Sequence, residues 1–205
     1  MVRAIVFDMD GTLVDTGATV PAAYAATIAA LGGPAVSAAA VVAAYPLGPT
    51  KAILEHFLER EVSADEIESY YERLAGAGPI EPYPGVRAAL EALHGRVPLA
   101  VFTGAGAQAS RIVLERAGLA SRFDAVVGGD EVASPKPDPE GIVLAARRLG
   151  VPVAATAYVG DAARDVEAAQ ACGALAVAAA WGHEFRGEIR GALVLDDPSG
   201  LAGLV

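Results

Sequence analysis

Cysteine, lysine and long apolar runs are all scarce in this chain. Cys172 is the single cysteine, so no internal disulfide can form and nothing argues against a reducing compartment. Lysine occurs only at 51 and 136, and 15 basic residues face 25 acidic ones, for a net charge of −10. There is no basic run and no stripe that interleaves bases with aromatics. Nucleic acid is therefore a poor candidate partner and none is expected, because it is held largely through Lys and Arg on phosphates. No apolar run approaches the roughly 20 residues that a membrane span needs. The opening segment, residues 1–7, is too short and too soon interrupted by acid for a signal peptide. The expectation is a soluble, cytoplasmic protein without a membrane partner. His56, His94 and His183 show no metal-ligand spacing with one another or with Cys172, and read as surface or helix-end residues.

Hydrophobic residues make up 54% of the 205, enough for one packed core with room for a modest insertion. Short β-rich apolar runs lie at Val2–Phe7, Val97–Phe102, Ala125–Val127, Thr156–Val159 and Ala174–Ala179, with a weaker one at Ala192–Leu195. Uninterrupted apolar character is what parallel strands buried on both faces show. Helical stretches separate them: Val86–Leu93, Ala107–Ala117, a helix capped by Asp138 with Pro139 at its first position, and Ala162–Ala171. Each stops at a glycine: Gly95, Gly118, Gly150 and Gly173. This alternation predicts an α/β fold, a Rossmann-like parallel sheet with helices on both faces.

The alternation breaks between about Gly17 and Pro82, where no strand is expected and three helices are. One is opened by Pro21, one runs over Thr50–Arg60, and one begins at the capping-box pattern Ser63-Ala64-Asp65-Glu66. The predicted organisation is a catalytic core from 1–16 and 83–205, with a small α-helical cap domain inserted at 17–82.

Ligands of open parallel sheets bind beyond the carboxyl ends of the strands. The residues at those ends are chemically pointed here. Asp8 and Asp10 come after the first strand, Thr103 and Gly104 after the second. Lys136 sits in Ser134-Pro135-Lys136-Pro137, and Gly160, Asp161 and Asp165 come after the Thr156–Val159 strand. Asp8 and Asp10, two apart in an extended segment, can point the same way. Carboxylates so close repel unless a cation lies between them, and a hard oxygen-seeking ion such as Mg²⁺ fits, with Asp161 as a further ligand. Asp138 reads as a helix cap. An Asp-x-Asp-Gly-Thr match by itself would arise in roughly one unrelated chain in several hundred. Its position after the first strand, with three further elements in order, is what makes it specific.

The run Asp8-Met9-Asp10-Gly11-Thr12-Leu13-Val14-Asp15-Thr16, then Thr103, Lys136-Pro137, and Gly160-Asp161 with Asp165, resembles the four motifs of the haloacid dehalogenase superfamily. The match is closest to its phosphoglycolate phosphatase-like and β-phosphoglucomutase-like subgroup, and the insert resembles that subgroup's helical cap. The resemblance implies a phosphatase acting on a small phosphorylated metabolite. Asp8 would be the nucleophile, and Asp10 the acid and then the base. Mg²⁺ would be held by the Asp8 carboxylate, the Asp10 backbone carbonyl and Asp161. Thr103 and Gly104 would hold phosphate oxygens, Lys136 would neutralise charge, and Asp165 would orient Lys136 or the metal's waters.

The presence of Asp10 separates this pattern from true dehalogenases, whose halide leaving group needs no acid. It also argues against the phosphonate-cleaving relatives, which use a cap lysine. A phosphomutase remains the alternative, weakened because Gly17-Ala18-Thr19-Val20 stands where sugar mutases usually carry a histidine. A non-catalytic binding module on the same fold ranks lower still, since every chemical position is intact. In this family the cap loop facing the core helps select substrate. Thr50 and Lys51, after the Gly/Pro-rich break at 45–49, are accordingly candidate substrate contacts. Trp181-Gly182 follows the fifth strand, where an aromatic covering the core edge is the first expectation and a place at the site entrance the second.

Overall fold

A computed structural model of the chain describes residues 1–187 and 189–205. The chain opens with β1 (Ala4–Phe7) and β2 (Val14–Asp15), then forms α1 (Thr19–Ala30), α2 (Ala38–Ala44), α3 (Thr50–Leu58) and α4 (Ala64–Ala75). It returns through β3 (Glu81–Pro82). Alternation then sets in: α5 (Val86–Leu93), β4 (Leu99–Phe102), α6 (Ala107–Arg116), β5 (Ala125–Val127), α7 (Glu140–Arg148), β6 (Thr156–Gly160), α8 (Ala163–Cys172), β7 (Leu175–Ala179) and β8 (Leu193–Leu195).

Six of these strands make one parallel sheet in the order β5-β4-β1-β6-β7-β8. β1 lies at its centre, with Ile5 in register with Leu99 on one side and Ala157 on the other. Successive side chains face opposite ways, and two apolar layers result. Ile5, Phe7, Val101 and Val159 pack with Leu90 and Leu93 of α5 and Val113 of α6. Val6, Ala100, Phe102, Tyr158 and Ala178 pack with Ile142 of α7 and Val166 of α8. The sheet is thus covered on both faces, as its strands' unbroken apolar character requires.

All six predicted strands are present, within two residues at either end. Three predictions need correction. The insert holds four helices where three are expected, α2 being built only of alanine and valine. Gly17 to Pro82 is not strand-free: Glu81–Pro82 pairs antiparallel with Val14–Asp15, a ribbon too short to show any period. The helix after Lys136 begins at Glu140, not at Pro139. Pro139 is its N-cap, so Asp138 stands one residue before the cap and accepts the Glu140 N–H at 2.9 Å through Oδ1.

The helices between β2 and β3 continue the first apolar layer. Tyr24 and Ile28 of α1, Val41 of α2, Ile53 and Leu54 of α3, and Tyr70 and Leu74 of α4 are all buried. Tyr24 and Tyr70 stack with centroids 4.2 Å apart. At the start of α4 the capping box is complete. Ser63 Oγ accepts the Glu66 N–H at 3.2 Å, and Glu66 Oε2 accepts the Ser63 N–H at 2.9 Å. Arg60 adds a two-pronged bond to the same carboxylate, at 2.7 and 3.0 Å. With Arg60 and then the Ser63 N–H both favouring the anion, the Glu66 carboxyl is drawn down to about 2.

A carboxyl lowered on folding contributes stability that is present above its unfolded pKa of about 4.5 and lost as pH falls toward 2. Urea midpoints of wild type and Glu66→Gln should therefore differ fully at pH 6 and converge by pH 2–3. A gap independent of pH would show that the charge on Glu66 plays no part.

Candidate active site

β1 ends where β4 and β6 flank it, and the chain leaves it toward β4 before returning to β6 on the other side. Open sheets bind ligands at such a switch point. Asp8 leaves β1 there, its backbone N–H donating to the Val159 carbonyl at 2.8 Å, and its residue surface is 3% exposed. Lys136, from the loop between β5 and α7, reaches the same place with a side chain 6% exposed. Its Nζ donates to Asp8 Oδ1 at 2.8 Å and to Asp165 Oδ1 at 2.7 Å. The Lys136–Pro137 peptide is cis.

Asp8, Asp161 and Asp165 form the group of acids able to share an ion, with one oxygen of each lying within 4.8 Å of the others. Asp165 is the third residue of α8. Its Oδ2 accepts the Ala162 N–H at 3.0 Å, so both its oxygens are engaged by protein donors. Asp161 comes before the helix begins, and its Oδ2 accepts the Glu184 N–H at 2.8 Å. Asp8 Oδ2 and Asp161 Oδ1 have no donor among the described residues. They are the oxygens left to face a ligand.

The chain turns at Met9 instead of staying extended. Thr12, Leu13 and Val14 N–H groups all donate to the Met9 carbonyl. The turn carries Asp10 away from the three-carboxylate group, and its Oδ1 instead accepts the Thr16 hydroxyl. Thr103 sits just past β4 with its Oγ1 accepting the Ala105 N–H at 3.2 Å, which leaves the hydroxyl proton available. The loop beyond it is knitted to the one after β5. Gly129 donates to the Ala105 carbonyl and packs on Gly104, and Asp130 Oδ1 accepts the Ala107 N–H at 2.8 Å at the start of α6.

Burial pushes the Asp8 carboxyl up to about 7 against the pull of Lys136, with Asp165 and Asp10 adding to the rise. Burial also raises Asp10 and Asp161; the Thr16 hydroxyl and the Glu184 N–H oppose it. For Lys136, burial opposes the charge, but Asp165 and Asp8 outweigh it and the ammonium is held charged well above its usual range. One ammonium thus faces three acids, with Asp10 beside them. A divalent cation fits this excess of hard oxygen charge.

Thr50 and Lys51 are placed differently from each other. Thr50 is buried, with Tyr24 OH donating to its Oγ1 at 3.3 Å, whereas Lys51 is exposed and sits 3.6 Å from Glu55. His56, His94 and His183 are exposed, and His183 Nδ1 lies 3.1 Å from Tyr83 OH.

Three further contributors lie outside the four motifs, two of them in the Trp181-Gly182 pair already considered for the site entrance. Tyr158 accepts from Lys136 Nζ at 3.2 Å. The segment after β7 braces the site from a third side. Trp181 Nε1 donates to the Thr12 carbonyl at 2.8 Å, and a Cβ on Gly182 would overlap both Asp161 and the Gly11 carbonyl. Glycine at 182 is the one legible signal of that close approach.

Comparisons with known proteins give the family. Residues 2–173 match the haloacid dehalogenase-like hydrolase family. A probable phosphatase, IndB, of Dickeya dadantii is 36% identical over 92% of this chain and 85% of its own. The phosphoglycolate phosphatase of Xylella fastidiosa strain 9a5c is 32% identical over 88% of this chain and 81% of its own. The crystal structure of CbbY from Rhodobacter sphaeroides in complex with phosphate superposes with a TM-score of 0.82 at 28% identity, covering 100% of this chain and 99% of that one. The chain belongs to the haloacid dehalogenase-like hydrolases. Within them it falls in the phosphatase branch, beside the phosphoglycolate phosphatases.

Gly182→Ala should displace Asp161 and lower kcat/KM for phosphate release by about tenfold or more, the usual scale for disturbing a residue that orients a reacting group. Gly203→Ala, which meets open space, is the control. Equal activity in the two variants would show that the 180–186 segment does not hold Asp161.

Proposed function

We propose that the protein is a Mg²⁺-dependent phosphomonoesterase that hydrolyses a small phosphorylated metabolite through an aspartyl-phosphate on Asp8. The observation that carries this is the Lys136 ammonium locked between Asp8 and Asp165 beside a free oxygen of Asp8. In this reading Asp8 Oδ2 attacks phosphorus. The Asp8–phosphorus bond forms as the bond to the leaving oxygen breaks, and protonated Asp10 gives that oxygen its proton. The rise of Asp10 by burial supports its protonated form at the start. Asp10 then takes a proton from water, whose oxygen attacks phosphorus, and the Asp8–phosphorus bond breaks to release inorganic phosphate.

Lys136 balances charge on Asp8 and the phosphoryl group, and Asp165 holds Lys136 in place. The free hydroxyl proton of Thr103, with the backbone at Gly104, is aimed at phosphate oxygens. Mg²⁺, held by the Asp8 carboxylate, the Asp10 backbone carbonyl and Asp161, would supply positive charge against the phosphoryl oxygens. The helical insert, residues 17–82, acts as the cap that selects the leaving group, with Thr50 and Lys51 as substrate contacts. No described helix is long and apolar enough to cross a membrane, and together with the single cysteine this supports a cytoplasmic enzyme.

A phosphate-release assay over a panel of phosphometabolites tests the reading. Asp8→Asn should lose at least about 10³-fold in kcat on every substrate, in line with removal of a nucleophile. Chelation should abolish activity and Mg²⁺ restore it. Turnover surviving in Asp8→Asn would overturn the mechanism, and dependence on an added bisphosphate with little phosphate released would replace hydrolysis by a mutase.

Alanine at Thr50 or Lys51 should change KM unevenly across that panel. Unchanged kcat/KM on all substrates would remove both residues from the substrate site.

A further inference from the structure

Lys136 has three N–H donors and the structure accounts for each of them. Two go to Asp8 and Asp165; the third goes to the Tyr158 hydroxyl at 3.2 Å. Tyr158 lies in β6, three residues before Asp161, and is buried on all sides. Its own hydroxyl proton is committed, donating to the Phe102 carbonyl at 3.0 Å. With the proton fixed there, an oxygen lone pair is left for the ammonium, and the direction of the third leg is set.

We propose that Tyr158 is a positioning residue for the phosphoryl-transfer site, holding Lys136 at the height and angle from which its charge reaches Asp8. The inference rests on the phosphatase reading given above. A lysine on a loop has four rotatable bonds, and two carboxylates define only a line along which its ammonium can swing. The hydroxyl supplies a third point off that line. The three points come from the end of β1, from β6 and from α8, so the tripod has its feet in the rigid part of the sheet. The ring faces of Phe102 and Tyr158 flank the same ammonium, with centroids 5.5 and 5.8 Å away. Phe102 is the last residue of β4, next to Thr103. The hydrogen-bond chain Lys136–Tyr158–Phe102 therefore ties the lysine to the strand that carries the proposed phosphate contact.

The plain alternative is that Tyr158 is a core aromatic whose hydroxyl merely satisfies the Phe102 carbonyl. The two roles separate because the chain has two lysines, and Lys51 is exposed. In protein labelled with ¹⁵N only at lysine, Lys136 should give a slowly exchanging ammonium signal and Lys51 should not. Tyr158→Phe keeps the ring and removes the hydroxyl. It should shift or broaden the Lys136 signal and lower kcat/KM about tenfold, mostly through kcat.

An unchanged lysine signal with reduced activity would place the effect on the Phe102 carbonyl and overturn the proposal. So would a changed signal with kcat/KM within twofold of wild type, or no change in either. If the wild-type protein releases no phosphate from any substrate, the phosphatase reading fails by itself. The lysine signal in Tyr158→Phe would then decide whether the hydroxyl holds Lys136.

Discussion

One buried ammonium organises this molecule. Three carboxylates gathered at the end of a parallel sheet would repel one another, and burial makes that repulsion harder to screen. Lys136 answers two of them directly, at 2.8 and 2.7 Å, and its presence lets Asp8 sit at the end of β1 almost closed off from solvent. Much of the surrounding architecture is explained by that need. Asp165 is held by the Ala162 N–H, Asp161 by the Glu184 N–H, and Gly182 yields the space that Asp161 occupies. A lysine removed from this setting would leave Asp8 and Asp165 without the cation that bridges them.

The same arrangement divides labour among acids of identical chemistry. Asp165 has both oxygens engaged by donors of the protein and serves as scaffold. Asp8 and Asp161 keep one oxygen each facing the crevice. Asp10 turns toward Thr16, outside the group of three. Differences in environment alone distinguish these acids, although all four share one side-chain chemistry.

How much of this could be read from the sequence depended on the range of the interaction involved. The six sheet strands were legible because a strand buried on both faces is apolar at every position, and its helices end on glycines. The capping box at Ser63 was legible because its partners are three residues apart. Asp8, Lys136 and Asp161 follow strands of the same sheet in order, so their meeting could be anticipated. α2 was missed because its seven residues are only alanine and valine, which show no amphipathic period. The β2–β3 ribbon was missed because a two-residue strand has no alternation to detect. Tyr158 in a buried strand is indistinguishable from an ordinary core aromatic until its hydroxyl is seen to meet a lysine from another loop. Asp10 was expected to point the same way as Asp8; its charge still acts on Asp8, but its Oδ1 is engaged by Thr16, a contact that the two-residue spacing does not reveal.

The β2–β3 ribbon has a geometric consequence of its own. Both covalent links to the four-helix insert pass through it, while α4 also rests on α6, where Gln108 Nε2 donates to Glu68 Oε2 at 3.2 Å. A ribbon bends readily across its face and resists shear along its strands, because shear breaks the pairing of Val14 with Pro82 and Asp15 with Glu81. Thr16, the residue after β2, donates its hydroxyl to Asp10, so the strand at the root of the insert is tied directly to the turn that follows Asp8.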